Sequence, residues 1–354
     1  MLEDREQLFQ PSRPFASYNQ NLPASCLSIT HGVPERHGLP AGGFLESVGL
    51  CATFTNLPAC SPSAFLYNSS VPLLKIAILA VIQGLAELLP ISSSAHVIIA
   101  EKLLGLDPSS PAMTLLLVML HTGTMFAVIV YFWKDWRSTY FQSMAAFKRA
   151  AALIIFATVL TGVIGLALMK LIEKTLFAGS PHAEIENLFS HLELIAPALA
   201  AAGILILISG LLEKLSLQDT DISFGQAGII GAVQGFCLPF RGFSRSGATI
   251  SVGMLAGVAK ARAEAFSFAL AVVLTPPVVG REALRLIRAE RMEGPAALAS
   301  AAFPSLLGAV LAFFAGLLAL KWLSNWLQAG RWYFFGIYCL IAAAVVFYLH
   351  IIGY

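Results

Sequence analysis

Long hydrophobic runs with few charged residues recur along this chain of 354 residues, and they constrain its fold more than any other feature. A run of about 20 such residues crosses the roughly 30 Å hydrocarbon core of a bilayer as a helix. Only 12% of the residues are charged and the mean hydropathy is +0.77, whereas about a quarter are charged in soluble domains. We therefore predict an all-α polytopic membrane protein with six full transmembrane helices, at residues 112–133, 149–174, 194–213, 263–288, 298–325 and 331–352.

Two more hydrophobic regions, at 72–104 and 224–258, are broken in the middle by proline, glycine and polar residues. Irregular backbone at membrane depth is tolerated only where protein buries it or where it lines a wet cavity. Each region therefore predicts a re-entrant helical hairpin, in which two short helices meet near the middle of the membrane.

The two broken regions resemble each other. The segments "IQGLAELLPISSSAH" and "VQGFCLPFRGFSRSGA", which begin at Ile82 and Val233, share Gln-Gly, then a proline, then a serine cluster. Each is followed by three spans, and because a hairpin returns to its own side, the second copy must insert upside down. This predicts an inverted-topology repeat, at 72–213 and 224–352 of a membrane domain covering 71–354, with a polar site where the repeats meet.

Basic residues in short loops predict the orientation, because cytoplasmic loops carry an excess of lysine and arginine. More of them lie on the side of Lys134, Lys148 and Lys260 than on the other side. That side is predicted to be cytoplasmic, so that the first hairpin enters from the outer side. The small net charge of +2 gives no reason to expect a nucleic-acid partner.

Residues 1–70 differ from the rest of the chain, because they begin polar and proline-rich and contain no run long enough to span. They also lack the clear hydrophobic core of a signal peptide. We predict either a disordered extension or a start codon assigned too far upstream; in both cases the segment contributes no chemistry, and its deletion is expected to leave activity intact.

The first broken region places a carboxylate, three serines and a histidine among apolar residues. Gln83 and Glu87 share one helix face, which suits a Mg²⁺ or Ca²⁺ site or an ion pair between helices. Pro90 ends the first short helix, and the second is predicted to begin near Ala95. The serines that follow are Ser92, Ser93 and Ser94, which either cap that helix or hold phosphate. His96 is either a packing residue in the membrane or a base or nucleophile.

The second broken region supplies positive charge. Arg245, between Ser244 and Ser246, is a forked donor suited to phosphate oxygens, unless it only extends to the membrane surface. Gly253 and Gly257 are small residues four apart, which predicts close packing of a helix that contains both. Together the two regions offer a carboxylate, hydroxyls, an imidazole and a guanidinium, a set suited to phosphoryl transfer on a lipid substrate.

The motifs "QGLAELLPISSSAH" and "GFSRSGATISVGMLAG" resemble the two signatures of the undecaprenyl-diphosphate phosphatase family, which is known for bacitracin resistance. "FSFALAV" also looks familial, and the resemblance covers residues 72 to 352. It implies a bacterial inner-membrane enzyme that hydrolyses undecaprenyl diphosphate to the monophosphate and so recycles the lipid carrier for peptidoglycan synthesis. It also implies dependence on a divalent cation and an active site facing the periplasm.

The resemblance extends to individual positions. Gln83 and Glu87 match the family's cation-binding pair, and Ser93, His96, Glu87 and Arg245 are predicted to be catalytic, with the His96 imidazole within reach of the Ser93 hydroxyl. The hydroxyls predicted to bind substrate are those of Ser92, Ser94, Ser244, Ser246 and Thr249.

Two departures from the family pattern stand out. Gln83 lies where many relatives have glutamate, which removes one charge and is expected to weaken the cation site. Pro239 and Arg241 precede the second motif, where Pro-Gly is common, so the entry of that loop is expected to be reshaped.

Two rival functions need different residues. A type-2 phosphatidic acid phosphatase needs a histidine several residues after its Ser-Arg, but the only histidine after Arg245 is His350. A secondary transporter or lipid flippase also uses broken helices in inverted repeats, yet it does not need serine, histidine, arginine and glutamate together. The sequence leaves open whether Ser93, His96 or water attacks the phosphate, and whether the protein forms a homodimer.

Overall fold

The computed structural model describes residues 72–107, 110–176, 192–212, 221–293 and 295–352. The predicted extension at 1–70 lies outside the described residues. The described part is helical, as predicted, and its ten helices are α1 (Leu73–Leu88), α2 (Ser93–Leu103), α3 (Pro111–Thr139), α4 (Met144–Leu176), α5 (Leu192–Leu212), α6 (Phe224–Cys237), α7 (Arg245–Leu255), α8 (Lys260–Glu293), α9 (Pro295–Gln328) and α10 (Tyr333–Ile351).

Six of these helices are long and apolar enough to cross a membrane, which confirms the predicted number of spans. They are α3, α4, α5, α8, α9 and α10, with apolar segments at Ala112–Thr139, Met144–Thr175, Leu194–Leu212, Lys260–Leu284, Ala302–Gln328 and Tyr333–Ile351. Large apolar side chains such as Phe126, Leu166 and Phe314 are exposed along them, as lipid-facing residues are. The chain is therefore a multi-pass membrane protein.

The four remaining helices are short and form two helix–loop–helix pairs. α1 has 16 residues and α2 has 11; α6 has 14 and α7 has 11. At 1.5 Å per residue, none of them is longer than about 24 Å, which is less than the hydrocarbon thickness. This length suits the predicted re-entrant hairpins, although their depth in the membrane stays a prediction.

The break between α1 and α2 has a local cause in the sequence. Pro90 lacks an N–H and disfavours helical backbone at the residue before it. Leu89 accordingly has φ −73° and ψ 151°, and the helix ends at Leu88. α2 then begins at Ser93, two residues earlier than the predicted Ala95, because the chain re-enters helical geometry directly after Ser92.

Two glycines at matching positions in the repeated segments let the short helices pack closely against long ones. A Cβ on Gly84 of α1 would lie 2.6 Å from the Cβ of Ala315 in α9. A Cβ on Gly235 of α6 would lie 2.7 Å from the carbonyl oxygen of Thr161 in α4. If α1–α5 and α6–α10 are taken as two halves, α4 and α9 are the fourth helix of each half. The first helix of each half thus packs against the fourth helix of the other half, as two equivalent units would. The inversion of the two halves across the membrane stays a prediction.

The prediction for Gly253 and Gly257 was wrong in one respect. Gly253 lies in α7, where an added Cβ would lie 3.1 Å from the Cβ of Ala263. Gly257 lies beyond the end of the helix at Leu255 and has φ +85°, a conformation that favours glycine. It therefore helps to end α7 and does not extend the packed face.

Candidate active site

A cavity of about 190 Å³ lies where the two helix–loop–helix pairs meet. Its walls come from the loop ends of both pairs, so the two similar sequence segments contribute to a single space. The polar residues that line it are Glu87, Ser92, Ser93, Ser94, Arg241, Ser244, Arg245 and Ser246. The prediction of one polar site between the two loops agrees with this geometry.

The Glu87 carboxylate is the centre of the polar contacts in the cavity. Arg245 Nη2 donates to Glu87 Oε1 at 2.9 Å, although the two residues are 158 positions apart. The Ser93 hydroxyl donates to Glu87 Oε2 at 2.6 Å, and the Gln83 amide donates to the same oxygen at 3.3 Å. The side chains of Arg245 and Glu87 are only 24% and 16% exposed, so water screens their ion pair weakly.

The ends of the short helices place these groups. Glu87 lies in the last turn of α1, while Ser93 and Arg245 are the first residues of α2 and α7. The Ser244 hydroxyl accepts a hydrogen bond from Gly247 N at 3.2 Å and so caps α7. Two helix N-termini, whose free N–H groups and dipoles favour anions, thus begin at the cavity.

Ser92 has the backbone strain that often marks a functional turn. Its φ of +68° is the only positive φ of a non-glycine residue in the described part of the chain, and such a conformation costs about 1–3 kcal/mol. A ring nitrogen of His96, Nδ1, lies 2.8 Å from the Ser92 carbonyl oxygen, where it can donate. His96 thereby stabilises the turn that presents Ser93.

The His96 ring faces Tyr338 of α10 on its other side. His96 Nε2 lies 2.7 Å from the Tyr338 hydroxyl, and the two rings stack with centroids 5.8 Å apart. A carbonyl oxygen only accepts, so Nδ1 is the nitrogen that donates to Ser92, and in the neutral imidazole Nε2 then accepts from the tyrosine hydroxyl. Both ring nitrogens are therefore engaged away from the Ser93 hydroxyl, contrary to the contact expected from the sequence.

Four of the five residues predicted to bind substrate through their hydroxyls line the cavity, and one does not. Those in the cavity wall are Ser92, Ser94, Ser244 and Ser246. Ser94 accepts from Gly242 N at 3.4 Å, and the Ser246 hydroxyl donates to the Leu89 carbonyl at 3.4 Å, so both also join the two loops. Thr249 is not among the residues that line the cavity. Its hydroxyl donates to the Arg245 carbonyl at 2.8 Å and lies 2.6 Å from the Ser267 hydroxyl of "FSFALAV".

The oxygen ligands available for a cation are few. No group of three or more His, Cys, Asp or Glu residues suited to a metal ion occurs within the described ranges. Glu87 and Gln83 are adjacent, and His121 Nε2 lies 3.8 Å from Glu87 Oε2. Mg²⁺ commonly uses one or two carboxylates and completes its coordination with substrate phosphates and water. The donor set therefore fits a cation shared with substrate, and does not fit one enclosed by protein alone.

Two residues at the site were missed from the sequence. His121 carried a usable signal, because an ionisable residue inside a transmembrane run is by default a functional candidate. Tyr338 carried none, because one tyrosine in an apolar helix resembles any interfacial or packing aromatic residue. Only the packing of α10 against the first hairpin makes it a partner of His96.

Comparison with known proteins gives matches over the same part of the chain. The family described as "Bacitracin resistance protein BacA" matches residues 76–345, which include both helix–loop–helix pairs except the first three residues of α1. "Undecaprenyl-diphosphatase 2" of Acinetobacter baylyi is 59% identical over 282 residues, or 79% of this chain and 98% of that protein.

More distant relatives are also named as undecaprenyl-diphosphatases. "Undecaprenyl-diphosphatase" of Rhodopirellula baltica is 32% identical over 279 residues, or 79% of this chain and 98% of its own. The "Undecaprenyl-diphosphatase" of Bacteroides fragilis is 31% identical over 281 residues, covering 76% of this chain and 94% of that protein. The similarity thus spans almost the whole length of each relative.

Proposed function

The chain belongs to the bacitracin resistance protein BacA family, and on that premise we propose that it hydrolyses undecaprenyl diphosphate to undecaprenyl phosphate and inorganic phosphate. It is a phosphatase of the membrane that recycles a lipid carrier for cell-wall synthesis and confers resistance to bacitracin. The observation that carries this function is the contact of Ser93 and Arg245 with the same Glu87 carboxylate, in a cavity formed by both hairpins.

We propose that Ser93 is the nucleophile and Glu87 its general base. The hydroxyl already donates to the carboxylate at 2.6 Å, which is the geometry a general base requires. Ser93 Oγ bonds to the terminal phosphorus while the bond to the bridging oxygen breaks, undecaprenyl phosphate leaves, and the serine proton passes to Glu87.

The second step hydrolyses the phosphoserine. The oxygen of a water molecule bonds to its phosphorus while the bond between phosphorus and Ser93 Oγ breaks. One water proton stays on the released inorganic phosphate, and the other passes to Ser93 Oγ. Glu87 then gives its proton to solvent, which returns the site to its starting state. The charges balance over the cycle, and no redox partner is needed.

Arg245 has two roles in this scheme. In the described geometry one nitrogen, Nη2, bonds Glu87 and orients its carboxylate toward Ser93. The rest of the guanidinium fork is suited to the oxygens of the transferring phosphoryl group, whose charge needs stabilisation in a weakly screened site.

We also propose that Mg²⁺ or Ca²⁺ binds with the diphosphate, held by Glu87 and Gln83. Such an ion would neutralise charge on the phosphate oxygens. The support is that these two side chains already meet, the Gln83 amide N–H donating to Glu87 Oε2 at 3.3 Å, and rotation of the amide would turn its oxygen toward an ion. Because glutamine brings no charge, Gln83→Glu is expected to tighten cation binding, measured as a lower Mg²⁺ concentration for half-maximal activity.

We place the enzyme in the bacterial inner membrane with the cavity open to the periplasm, which rests on the excess of basic residues predicted for the opposite side. Labelling a cysteine introduced at the exposed end of α4, as in Glu173→Cys, with an impermeant thiol reagent in spheroplasts tests the orientation. Crosslinking of the purified protein would reveal any homodimer.

Phosphate release by the purified chain tests the function. Wild-type protein in detergent is expected to release phosphate from undecaprenyl diphosphate, to lose this activity with a chelator, and to regain it when Mg²⁺ or Ca²⁺ is restored. A transporter or flippase would move the lipid between leaflets of a vesicle and leave its diphosphate intact. Absence of phosphate release from folded wild-type protein would refute the phosphatase assignment.

A further inference from the structure

Arg241 is a second cationic side chain at the cavity. It lines the same space as Arg245 and its side chain is exposed. It belongs to the loop "LPFRGFSRSG", in which the sequence departs from the family pattern.

The loop that carries Arg241 is held in place by close contacts. Gly242 has φ +101°, and a Cβ at this position would lie 2.5 Å from the carbonyl oxygen of Ile195 in α5. Gly242 N also donates to the Ser94 hydroxyl at 3.4 Å. The backbone beside Arg241 is thus fixed against the serine turn of the first hairpin.

The cavity wall carries two guanidinium groups. The only charged residues that line it within the described part of the chain are Glu87, Arg241 and Arg245. Arg245 contacts Glu87 at 2.9 Å, beside the proposed nucleophile Ser93. A diphosphate carries negative charge on both of its phosphates, so the two arginines provide one cationic group for each phosphate.

Glu101 is a buried carboxylic acid that interacts electrostatically with Arg241. This glutamate of α2 is only 4% exposed, and its Oε1 has no hydrogen-bond partner. A buried carboxylate without compensation is costly, and the charge of Arg241 acts on it favourably. Glu101 lies eight residues after Ser93 on the same helix, so the helix that begins with the proposed nucleophile also carries a carboxylate whose charge interacts with Arg241.

We propose that Arg241 binds the lipid-linked phosphate of the substrate while Arg245 contacts the terminal one, and that Glu101 is a positioning residue for Arg241. This assignment rests on the proposed phosphatase function. Since the lipid-linked phosphate gains charge as the leaving group, Arg241 stabilises its departure as well as its binding.

Inhibition by two simple anions tests the proposal. Inorganic diphosphate has two phosphate groups and needs both arginines, whereas inorganic phosphate needs only Arg245. Arg241→Gln is therefore expected to weaken inhibition by inorganic diphosphate about tenfold or more and to change inhibition by inorganic phosphate less than about twofold. Arg241→Lys should retain part of the affinity, because it keeps the charge and loses the fork.

Two further variants separate binding from folding. Lys102→Gln is the control: Lys102 follows Glu101 in the sequence, is exposed and does not line the cavity. Inorganic diphosphate should inhibit this variant as strongly as wild type. Glu101→Gln should weaken inhibition by inorganic diphosphate less than Arg241→Gln does. The double variant should be inhibited by inorganic diphosphate as weakly as Arg241→Gln alone.

The outcomes distinguish this proposal from the proposed function. If wild-type protein releases phosphate but diphosphate inhibits Arg241→Gln and Arg241→Lys as strongly as wild type, Arg241 does not bind the second phosphate. If Arg241→Gln does not fold, Arg241→Lys and Glu101→Gln test the proposal instead. The quantity to compare with wild type is the inhibition constant for inorganic diphosphate divided by that for inorganic phosphate. Absence of phosphate release from wild-type protein would instead refute the phosphatase function itself.

Discussion

The contact between Ser93 and Glu87 makes a sharp prediction about catalysis. Replacing the carboxylate by an amide in Glu87→Gln removes the proton acceptor 2.6 Å from the hydroxyl and the anion that pairs with Arg245 at 2.9 Å. Loss of a general base typically costs 10²- to 10⁴-fold in rate, which corresponds to about 2.7–5.4 kcal/mol in activation free energy. Ser93→Ala, which removes the nucleophile, is expected to lose at least about 10³-fold.

The double variant tests whether the two residues act as one unit. Ser93→Ala combined with Glu87→Gln should lose much less activity than the product of the two single losses, because a base without its nucleophile has nothing to activate. His96→Ala should lose about tenfold less than Ser93→Ala, since the imidazole contacts the Ser92 carbonyl and Tyr338. The assay is phosphate release from undecaprenyl diphosphate at equal amounts of folded protein.

Two controls guard against loss of folding. Glu173→Gln makes the same chemical change at an exposed position near the end of α4, and it should leave turnover unchanged. Thermal unfolding of Glu87→Gln should be recorded as well, because the variant leaves the partly buried Arg245 without its counter-charge. Near-normal turnover of Ser93→Ala would end the serine-nucleophile mechanism, and equal losses in His96→Ala and Ser93→Ala would restore the histidine as base.

Three further predictions concern other contacts. Arg245→Lys should lose most of the activity, because an ammonium cannot bond Glu87 and phosphate with one planar fork; wild-type turnover would remove Arg245 from the site. Tyr338→Phe should slow phosphate release about three- to tenfold, since it removes one hydrogen bond to His96 worth about 1 kcal/mol, and an unchanged rate and pH profile would make that bond dispensable. Gly84→Ala should lower the free energy of unfolding by about 1–3 kcal/mol, because the new Cβ would lie 2.6 Å from the Cβ of Ala315 in α9. The control Gly162→Ala should not lower the melting temperature, because no atom outside its own helix lies within 4 Å of its Cβ. Equal melting temperatures of the two variants would contradict the close packing at Gly84.

The local chemistry of the chain was readable from its sequence. Hydrophobic runs identified the six spanning helices, because the length and polarity of a run determine whether it can cross the hydrocarbon core as a helix. Pro90 identified the break after α1, since the loss of an N–H acts on its own neighbours. The two serine-containing motifs, and with them Glu87, Ser93 and Arg245, were found for the same reason: their residue types are unusual in an apolar segment wherever the segment folds.

The partners within the site were decided only by tertiary structure. Helical spacing relates Gln83 to Glu87, but it carries no information on which residue of a distant helix faces the carboxylate. The pairing of Glu87 with Arg245 depends on two helix–loop–helix pairs meeting at their loops, and the contact of His96 with Tyr338 depends on α10 lying beside the first pair. His96 was therefore expected to face Ser93, its neighbour in sequence, whereas packing turned its ring toward a tyrosine 242 residues away. Close approach of whole helices sets such contacts, and that approach depends on the fit of many side chains together.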